Sequence, residues 1–235
     1  EDLSKEDIVE IIREAGIVGM GGAAFPTHSK MVTGEDSIID TVILNGAECE
    51  PYLTSDHRVM LESPELIVSG LEIIMKYFDA KNGYIGIEDN KKDAIDTLRE
   101  LTKDDDKIEV ISLKTKFPQG DSYRMVDTIC NKVVPEGGRC KDVSTLVNNV
   151  CTAAAVAEAV LKGKPLYERV VTVTGNGIKE PKNLLVKIGT PIKDLIEQCG
   201  GFNGKQGKIV LGGPMTGYTQ FSLDTPITKG VAGII

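Results

Sequence analysis

The sequence lacks the features that would place the chain in a bilayer or on nucleic acid. It has no run of about 18 apolar residues, the length that a helix needs to cross a membrane, so no membrane span is predicted. Acidic residues outnumber basic ones by 35 to 27, which gives a formal net charge of −8. Such a balance repels nucleic-acid phosphates and gives no attraction to anionic lipid. We therefore expect any membrane association to run through protein partners.

Cysteine and histidine are sparse and scattered. The cysteines are odd in number and form no C-x-x-C pair: Cys49, Cys130, Cys140, Cys151 and Cys199. His28 and His57 stand at no metal-ligand spacing with them. This pattern is typical of reduced thiols with mostly structural roles, and it predicts no metal or iron–sulphur site within the chain. Residues 1–15 carry scattered charges and match neither a signal peptide nor a transit peptide.

What is present is an alternation of strand-like and helix-like segments. The chain has 235 residues and is 41% hydrophobic, enough to bury a core without disulfides. Between residues 38 and 163, β-branched runs alternate with helical periods. That order predicts an α/β fold, a parallel sheet covered by helices on both faces.

After Pro165 the pattern changes to short strands around one helix, which predicts a small α+β domain. The segment from Met215 to Ile235 shows no clear period. We predict one domain at 1–163, a second at 165–217, and the start of a truncated C-terminal region at 218–235.

A glycine-rich loop follows the first predicted helix. Its Gly19-x-Gly21-x-x-Ala24 spacing formally matches the dinucleotide-binding fingerprint. That fingerprint requires a strand before it and a helix after it, whereas here a helix precedes and Phe25-Pro26 follows, so a Rossmann site is not predicted. Two interpretations stay open: a plain flexible loop, or one whose backbone approaches a planar or phosphorylated ligand.

Two motifs together carry a family resemblance: 18-VGMGGAAFPTHSK-30 and 45-NGAECEPYLTSDHRVM-60. They resemble the RnfC family, the NADH-oxidising peripheral subunit of Rnf electron-transport complexes, and are similar to the flavin subunit of respiratory complex I. Further motifs strengthen the resemblance: 84-YIGIEDN-90, 117-FPQGDS-122 with 134-VPEGG-138, and 147-VNNVCTAA-154. The stretches 170-VVTVTG-175, 188-IGTPIKDLIEQCGG-201 and 209-IVLGGPMTG-217 resemble the β-grasp (SLBB-type) module of that family.

The resemblance implies that the chain binds flavin mononucleotide (FMN). Gly19, Gly21 and Gly22 would lie against the flavin and the incoming nicotinamide. Lys30 and Asn45 would reach the ribityl chain and the phosphate. The phosphate would also be held at a helix start, where the helix dipole favours an anion, by Asn148, Asn149 and Thr152.

The resemblance also implies a site for NADH. Glu48 and Glu50 would stand beside the flavin and the NADH ribose. Phe25 would stack on the adenine or nicotinamide, and Glu88 would border the same pocket. Each residue also has a purely structural interpretation: solvated loop carboxylates, helix caps and a core aromatic. No catalytic acid or base is predicted, because hydride transfer to a flavin requires only stacking and electrostatics.

The sequence departs from the family pattern at several places. Cys151 stands where a glycine or alanine is expected, and Asp121 where a glycine or alanine followed by glutamate is usual. The family's ferredoxin-like segment, with two cysteine-rich motifs, is absent from the sequence, as is most of its N-terminal barrel-sandwich domain. 4Fe-4S clusters are accordingly expected in the full-length protein only.

The resemblance predicts an NADH:acceptor (ferredoxin-type) oxidoreductase subunit that depends on FMN. Its partners would be the other subunits of a membrane redox complex, and its place the cytoplasmic face of the cell membrane, as a peripheral protein. Two alternatives stay open. One is a relative called PrdC, which passes electrons to D-proline reductase, and the other is a binding module that has lost its flavin.

Overall fold

The first sheet is parallel and has four strands in the order β3-β2-β1-β4. The computed structural model describes residues 3–32, 38–204 and 207–235. Residues 1–2, 33–37 and 205–206 lie outside these ranges, so each predicted domain is described apart from these residues. The strands are β1 (Thr41–Gly46), β2 (Asn82–Glu88), β3 (Ile108–Leu113) and β4 (Thr145–Asn149).

Helices cover both faces of this sheet, as predicted. On one face Val42 and Leu44 belong to the core formed with α1 (Lys5–Glu14), α4 (Pro64–Phe78), α5 (Lys92–Thr102) and α7 (Val150–Lys162). On the other face Ile43 and Val147 pack with α6 (Ser122–Cys130), beside a short 3₁₀ helix over Cys140–Val143. Two short helices, α2 (Thr27–Met31) and α3 (Ser55–Glu62), lie near the strand ends.

Local sequence accounts for the helix boundaries. Ser4 begins α1 with a capping box, in which Ser4 and Asp7 each accept from the other's backbone amide. Pro64 occupies the first turn of α4, where its missing N–H costs nothing. Gly70 of α4 is buried against the backbone of α7, and a Cβ built there would lie 2.0 Å from the carbonyl oxygen of Ala153. A glycine at that position therefore permits the close approach of the two helices.

The second sheet is mixed and has five strands in the order β6-β5-β9-β7-β8. Its elements are β5 (Glu168–Val173), β6 (Lys182–Lys187), α8 (Ile192–Gln198), β7 (Ile209–Leu211), β8 (Tyr218–Gln220) and β9 (Gly233–Ile234). Val171, Val173, Leu195 and Ile196 lie in its separate core.

The segment after Met215, which shows no period in the sequence, contributes two strands to this sheet. β9 lies between β5 and β7, parallel to the first and antiparallel to the second. Strands this short contain too few residues to show a period, and only long-range pairing defines them. No helix in the described part of the chain is long and apolar enough to span a membrane.

The topology identifies where a ligand would enter the first sheet. From β1 the chain runs through α3 and α4 to β2 on one side, while β4 pairs with β1 on the other. The chain leaves β1 and β4 at the same edge of the sheet, toward α3 and α7. In open parallel sheets, ligands usually bind outside the carboxyl ends of the strands.

Candidate functional site

Asn45 and Asn149 mark the carboxyl edge of the sheet, because they are register partners near the ends of β1 and β4. The side-chain amide of Asn45 donates to Gly120 O over 2.7 Å, and its Oδ1 accepts from Ala47 N over 3.1 Å. Asn149 caps α7: its Oδ1 accepts from the amides of Cys151 and Thr152. Both side chains are therefore held by the backbone turns that follow their strands.

A cavity of about 120 Å³ lies at this edge, which we call the acidic crevice. It brings together six of the residues predicted from sequence: Gly21, Gly22, Asn45, Glu48, Glu50 and Asn149. Asp56 and Gly120 also line it, as do Gly212 and Gly213 of the second sheet's loop. The crevice thus lies between the glycine-rich loop, the end of β1 and the second sheet.

The Glu48 side chain caps the start of α3, although Glu48 lies several residues before the helix. Its carboxylate accepts from the backbone amides of Asp56 over 2.7 Å and His57 over 3.1 Å. Burial, with the nearby Asp56 carboxyl as the second cause, raises the pKa of Glu48 to about 8. Glu48 therefore satisfies amides that the helix leaves unpaired, and it holds a proton near neutral pH.

Asp56 lies at the centre of a buried hydrogen-bond network. Its carboxylate accepts from Asn149 Nδ2 over 2.6 Å and from Cys151 Sγ over 3.1 Å. Burial raises the pKa of Asp56, and burial also raises the pKa of the Cys151 thiol well above its ordinary value. Cys151 is thus a protonated hydrogen-bond donor and no thiolate nucleophile.

The glycine-rich loop folds as a short hairpin. Gly19 N donates to Phe25 O over 2.8 Å, and Ala24 N donates to Gly19 O over 3.1 Å. At the tip, Gly22 adopts a φ of +115°, a conformation that favours glycine. The amides of residues 21–23 donate to no other described residue, and these residues are exposed. They are available to an anion or a ring that approaches the loop.

A second cavity, of about 380 Å³, lies along the free edge of β4; we call it the cation-lined cavity. Its lining includes three basic and two aromatic side chains: Lys30, Arg139, Lys141, Phe25 and Tyr123. Lys30 Nζ donates to the carbonyl oxygen of Val147, and burial lowers the pKa of Lys30.

The described residues supply no ion-pair partner for the basic side chains of this cavity. Among the described residues, none of the three cations forms an ion pair with a carboxylate. Asp121 lines the cavity but is occupied at the start of α6, where its Oδ1 accepts from the amides of Tyr123 and Arg124. Cations without a carboxylate partner among the described residues, in a chain of net charge −8, indicate a place for an anion.

Two buried donors without acceptors are sequence neighbours of residues that line the cavities. Asn148 Nδ2 and Gln119 Nε2 have no hydrogen-bond partner among the described residues. Asn148 stands between Val147 of the cation-lined cavity and Asn149 of the acidic crevice. An unpartnered buried amide costs about 1–3 kcal/mol, so both donors suit a ligand rich in acceptor oxygens.

Three of the predicted site residues already have partners elsewhere. Glu88 is buried and lies 3.6 Å from Lys91 Nζ, outside the linings of both cavities. Glu50 accepts from Met215 N over 2.9 Å and from the Thr216 hydroxyl, so it joins the two sheets. Thr152 Oγ1 accepts from Met20 N and so holds the glycine-rich loop against α7.

Comparison with known families identifies both parts of the chain. The family model of the Nuo51 FMN-binding domain matches residues 12–158, more than half of the chain. The chain belongs to the Nuo51 FMN-binding domain family. The model of the SLBB domain matches residues 170–219, which confirms the predicted β-grasp module.

Curated relatives of this Nuo51-type chain confirm the predicted resemblance to RnfC. It is 48% identical over its whole length to the C component of a proton-translocating ferredoxin:NAD(+) oxidoreductase complex of Clostridium ljungdahlii, and covers 51% of that protein. It is 46% identical to the C component of a Na(+)-translocating complex of the same type from Acetobacterium woodii, and covers 53% of it. The chain thus spans about half the length of these relatives.

A solved structure shares the fold at low sequence identity. An NAD+-reducing NiFe hydrogenase in its H2-reduced state superposes with a TM-score of 0.84 and is 18% identical. The match covers 99% of this chain and 47% of that one. The fold of this chain, with its two sheets, is therefore also found in that hydrogenase.

Three residues at the two cavities could not be found by reasoning from sequence. Arg139 and Lys141 lie at the start of the short 3₁₀ helix, in a segment with no recognisable period, yet both side chains line the cation-lined cavity. Nothing in the sequence marks Asp56, near the start of a helix, as a buried carboxylate, although it is one. For Arg139 and Lys141, the available signal in the sequence was a pair of basic residues in an acidic chain.

Proposed function

We propose that the chain binds FMN between the glycine-rich loop and the carboxyl ends of β1 and β4. The observation that carries the proposal is the cation-lined cavity, where Lys30, Arg139 and Lys141 have no described carboxylate partner. A phosphorylated ligand supplies the missing negative charge. Membership of the FMN-binding domain family supports flavin as the ring system.

The residues present fit FMN in type as well as in charge. The unpartnered donors Asn148 Nδ2 and Gln119 Nε2 suit the ribityl, phosphate and ring oxygens of a flavin. Lys30 would hold the phosphate, and the exposed loop at Gly21 and Gly22 would lie against the ring. Asn45, Asn149 and Thr152 would act by fixing the surrounding turns, since their hydrogen bonds go to protein groups.

We propose further that the whole protein is an electron-transfer subunit of an ion-translocating ferredoxin:NAD oxidoreductase complex. The names of the two relatives described above support this assignment. Bound FMN would link hydride exchange with nicotinamide to single-electron carriers. Phe25, half exposed in the cation-lined cavity, would stack on NADH, while Glu50 of the acidic crevice would border the nucleotide.

A titration with FMN tests the first proposal. Lys30→Ala should weaken FMN binding by about 1.5–3 kcal/mol, because a charge-assisted hydrogen bond is lost. The matched control is Lys162→Ala, since Lys162 is exposed at the opposite end of α7. Flavin fluorescence would give both dissociation constants. Equal affinities for wild type and Lys30→Ala would contradict the proposed position of the phosphate.

A further inference from the structure

Arg169 is a buried arginine that points from the second sheet into the base of the proposed site. It lies in β5 and is only 2% exposed. Its described hydrogen bonds all go to backbone carbonyl oxygens: Val170 O at 3.2 Å, Met20 O at 3.3 Å, and Lys229 O. Burial lowers the pKa of Arg169, while the neighbouring Cys151, Asp56 and Glu48 act in the opposite direction.

Burying a cation is costly, so the choice of arginine requires a reason. An apolar side chain of similar volume would fill the space without desolvating a charge. A guanidinium, however, presents several N–H donors in a rigid planar fork. That fork reaches two backbone segments at once, the loop at Met20 and the turn at Lys229.

Met20 is held from both sides by these contacts. Its amide donates to Thr152 Oγ1 of α7 over 2.9 Å, and its carbonyl oxygen accepts from Arg169 of β5. Met20 immediately precedes Gly21 and Gly22, the exposed tip of the loop. The direction in which the tip leaves the core is thus set by one element of each sheet domain.

The turn bound by Arg169 also packs on the loop. Lys229 Nζ donates to Gly16 O at the beginning of the loop. A Cβ built on Gly230 would lie 3.2 Å from Gly22 O and 3.1 Å from Ala24 Cβ. Arg169 therefore holds both the loop and the segment that supports it.

We propose that Arg169 is a positioning residue through which the second sheet fixes the glycine-rich loop in the conformation that receives FMN. This inference rests on the proposed function for its ligand, but its structural part stands without one. It assigns the SLBB-type domain a direct role in shaping the flavin site. Arg169 itself contacts only protein groups.

Hydrogen exchange of the loop and FMN affinity together test the proposal. Arg169→Met should speed amide exchange in the peptide spanning residues 17–27 by about tenfold, because the loop loses its charged donor. FMN affinity should fall by about tenfold as well. Exchange in β2, far from the contact, should not change, which separates loosening of the loop from general destabilisation.

The matched control is Arg99→Met. Arg99 also donates to a backbone carbonyl, Val110 O, through two nitrogens at 3.3 and 3.2 Å, but it joins α5 to β3. The Arg99→Met variant should lower the stability of the protein without altering amide exchange in the loop or FMN affinity. Arg169→Lys keeps the charge with a single nitrogen, so it should recover part of the loss and should fold if Arg169→Met does not.

The outcomes separate this inference from the proposed function. Wild-type loop exchange and wild-type FMN affinity in both Arg169 variants would overturn the positioning role. If the wild-type chain itself binds no FMN, the proposed function fails, while faster loop exchange in the variants would still support the positioning role. Loss of FMN affinity with unchanged loop exchange would also overturn the positioning role, since Arg169 would then affect FMN binding without holding the loop.

Discussion

Asp56 accepts a 2.6 Å hydrogen bond from the side-chain amide of Asn149, and this contact joins the start of α3 to the start of α7. It also decides which way the Asn149 amide faces. With Nδ2 directed at Asp56, Oδ1 is left to accept from the amides of Cys151 and Thr152. One buried carboxylate thus sets the orientation of a cap at the proposed ligand site.

Removing that carboxylate should destabilise the fold. Asp56→Ala leaves the buried donors of Asn149 and Cys151 without an acceptor, so the free energy of unfolding should fall by about 2–3 kcal/mol. Urea unfolding would measure this change in the free energy of unfolding. Asp93→Ala is the control, because Asp93 pairs with His57 at the surface and its loss should cost less than about 1 kcal/mol. Equal losses in the two variants would contradict the assigned role of Asp56.

Glu48 should make stability depend on pH. Its pKa is about 8 in the folded protein against an ordinary value of 4.5, so between these values the folded state binds the extra proton. The free energy of unfolding should therefore fall as pH rises through this window, by at most about 1.4 kcal/mol per pH unit. Glu48→Gln cannot titrate, so its stability should fall less steeply.

Urea titrations from pH 5 to pH 8, on the order of one unit apart, would give both slopes. Some slope should remain in Glu48→Gln, because burial also raises the pKa of the neighbouring Asp56. Glu109→Gln, at an exposed position of β3, should follow the wild type. Parallel curves for wild type and Glu48→Gln would argue against a buried, protonated Glu48.

Gly70→Ala should be strongly destabilising. The added Cβ would lie 2.0 Å from the carbonyl oxygen of Ala153, which belongs to the helix backbone and cannot move aside alone. We expect a loss of more than about 2 kcal/mol despite the better helix propensity of alanine. Gly177→Ala is the control, since nothing lies within 4 Å of a Cβ there. Thermal unfolding of both variants would show whether α4 and α7 tolerate separation.

The proposed nucleotide site should prefer NADH to NADPH. Glu50 lines the acidic crevice, and a carboxylate about 4 Å from a 2′-phosphate would repel it by roughly 1 kcal/mol per charge pair in water. Flavin reduction by NADH should thus be at least about fivefold faster than by NADPH. Stopped-flow absorbance would measure both rates. Glu50→Gln should narrow the ratio, and comparable rates in the wild type would exclude an acidic nucleotide pocket.

The helices and strands of the first domain could be predicted because their signals are local. The Ser4 cap, the Pro64 helix start and the alternation from residue 38 onward each depend on neighbours in sequence. The family motifs also indicated six of the residues that line the acidic crevice. The roles of these residues in binding FMN and NADH stay predictions.

Contacts between distant residues could not be predicted, since no local pattern encodes them. Nothing in the sequence near Glu50 indicates that its carboxylate is taken by Met215 and Thr216 of the second sheet. Likewise, the pairing of β9 between β5 and β7 brings the last described residues into the middle of a sheet. The position of such a short strand in the sheet is set by the strands with which it pairs.

The sequence by itself thus determined the class of the longer elements, the parallel sheet, the glycine-rich loop and the family. Only the tertiary structure decided which polar groups contact each other. Asp56 and Asn149 are 93 residues apart, and Met20 and Arg169 are 149 apart. The physical reason is that hydrophobic periodicity reports which face of an element is buried, whereas a buried polar contact depends on which two elements face each other after packing.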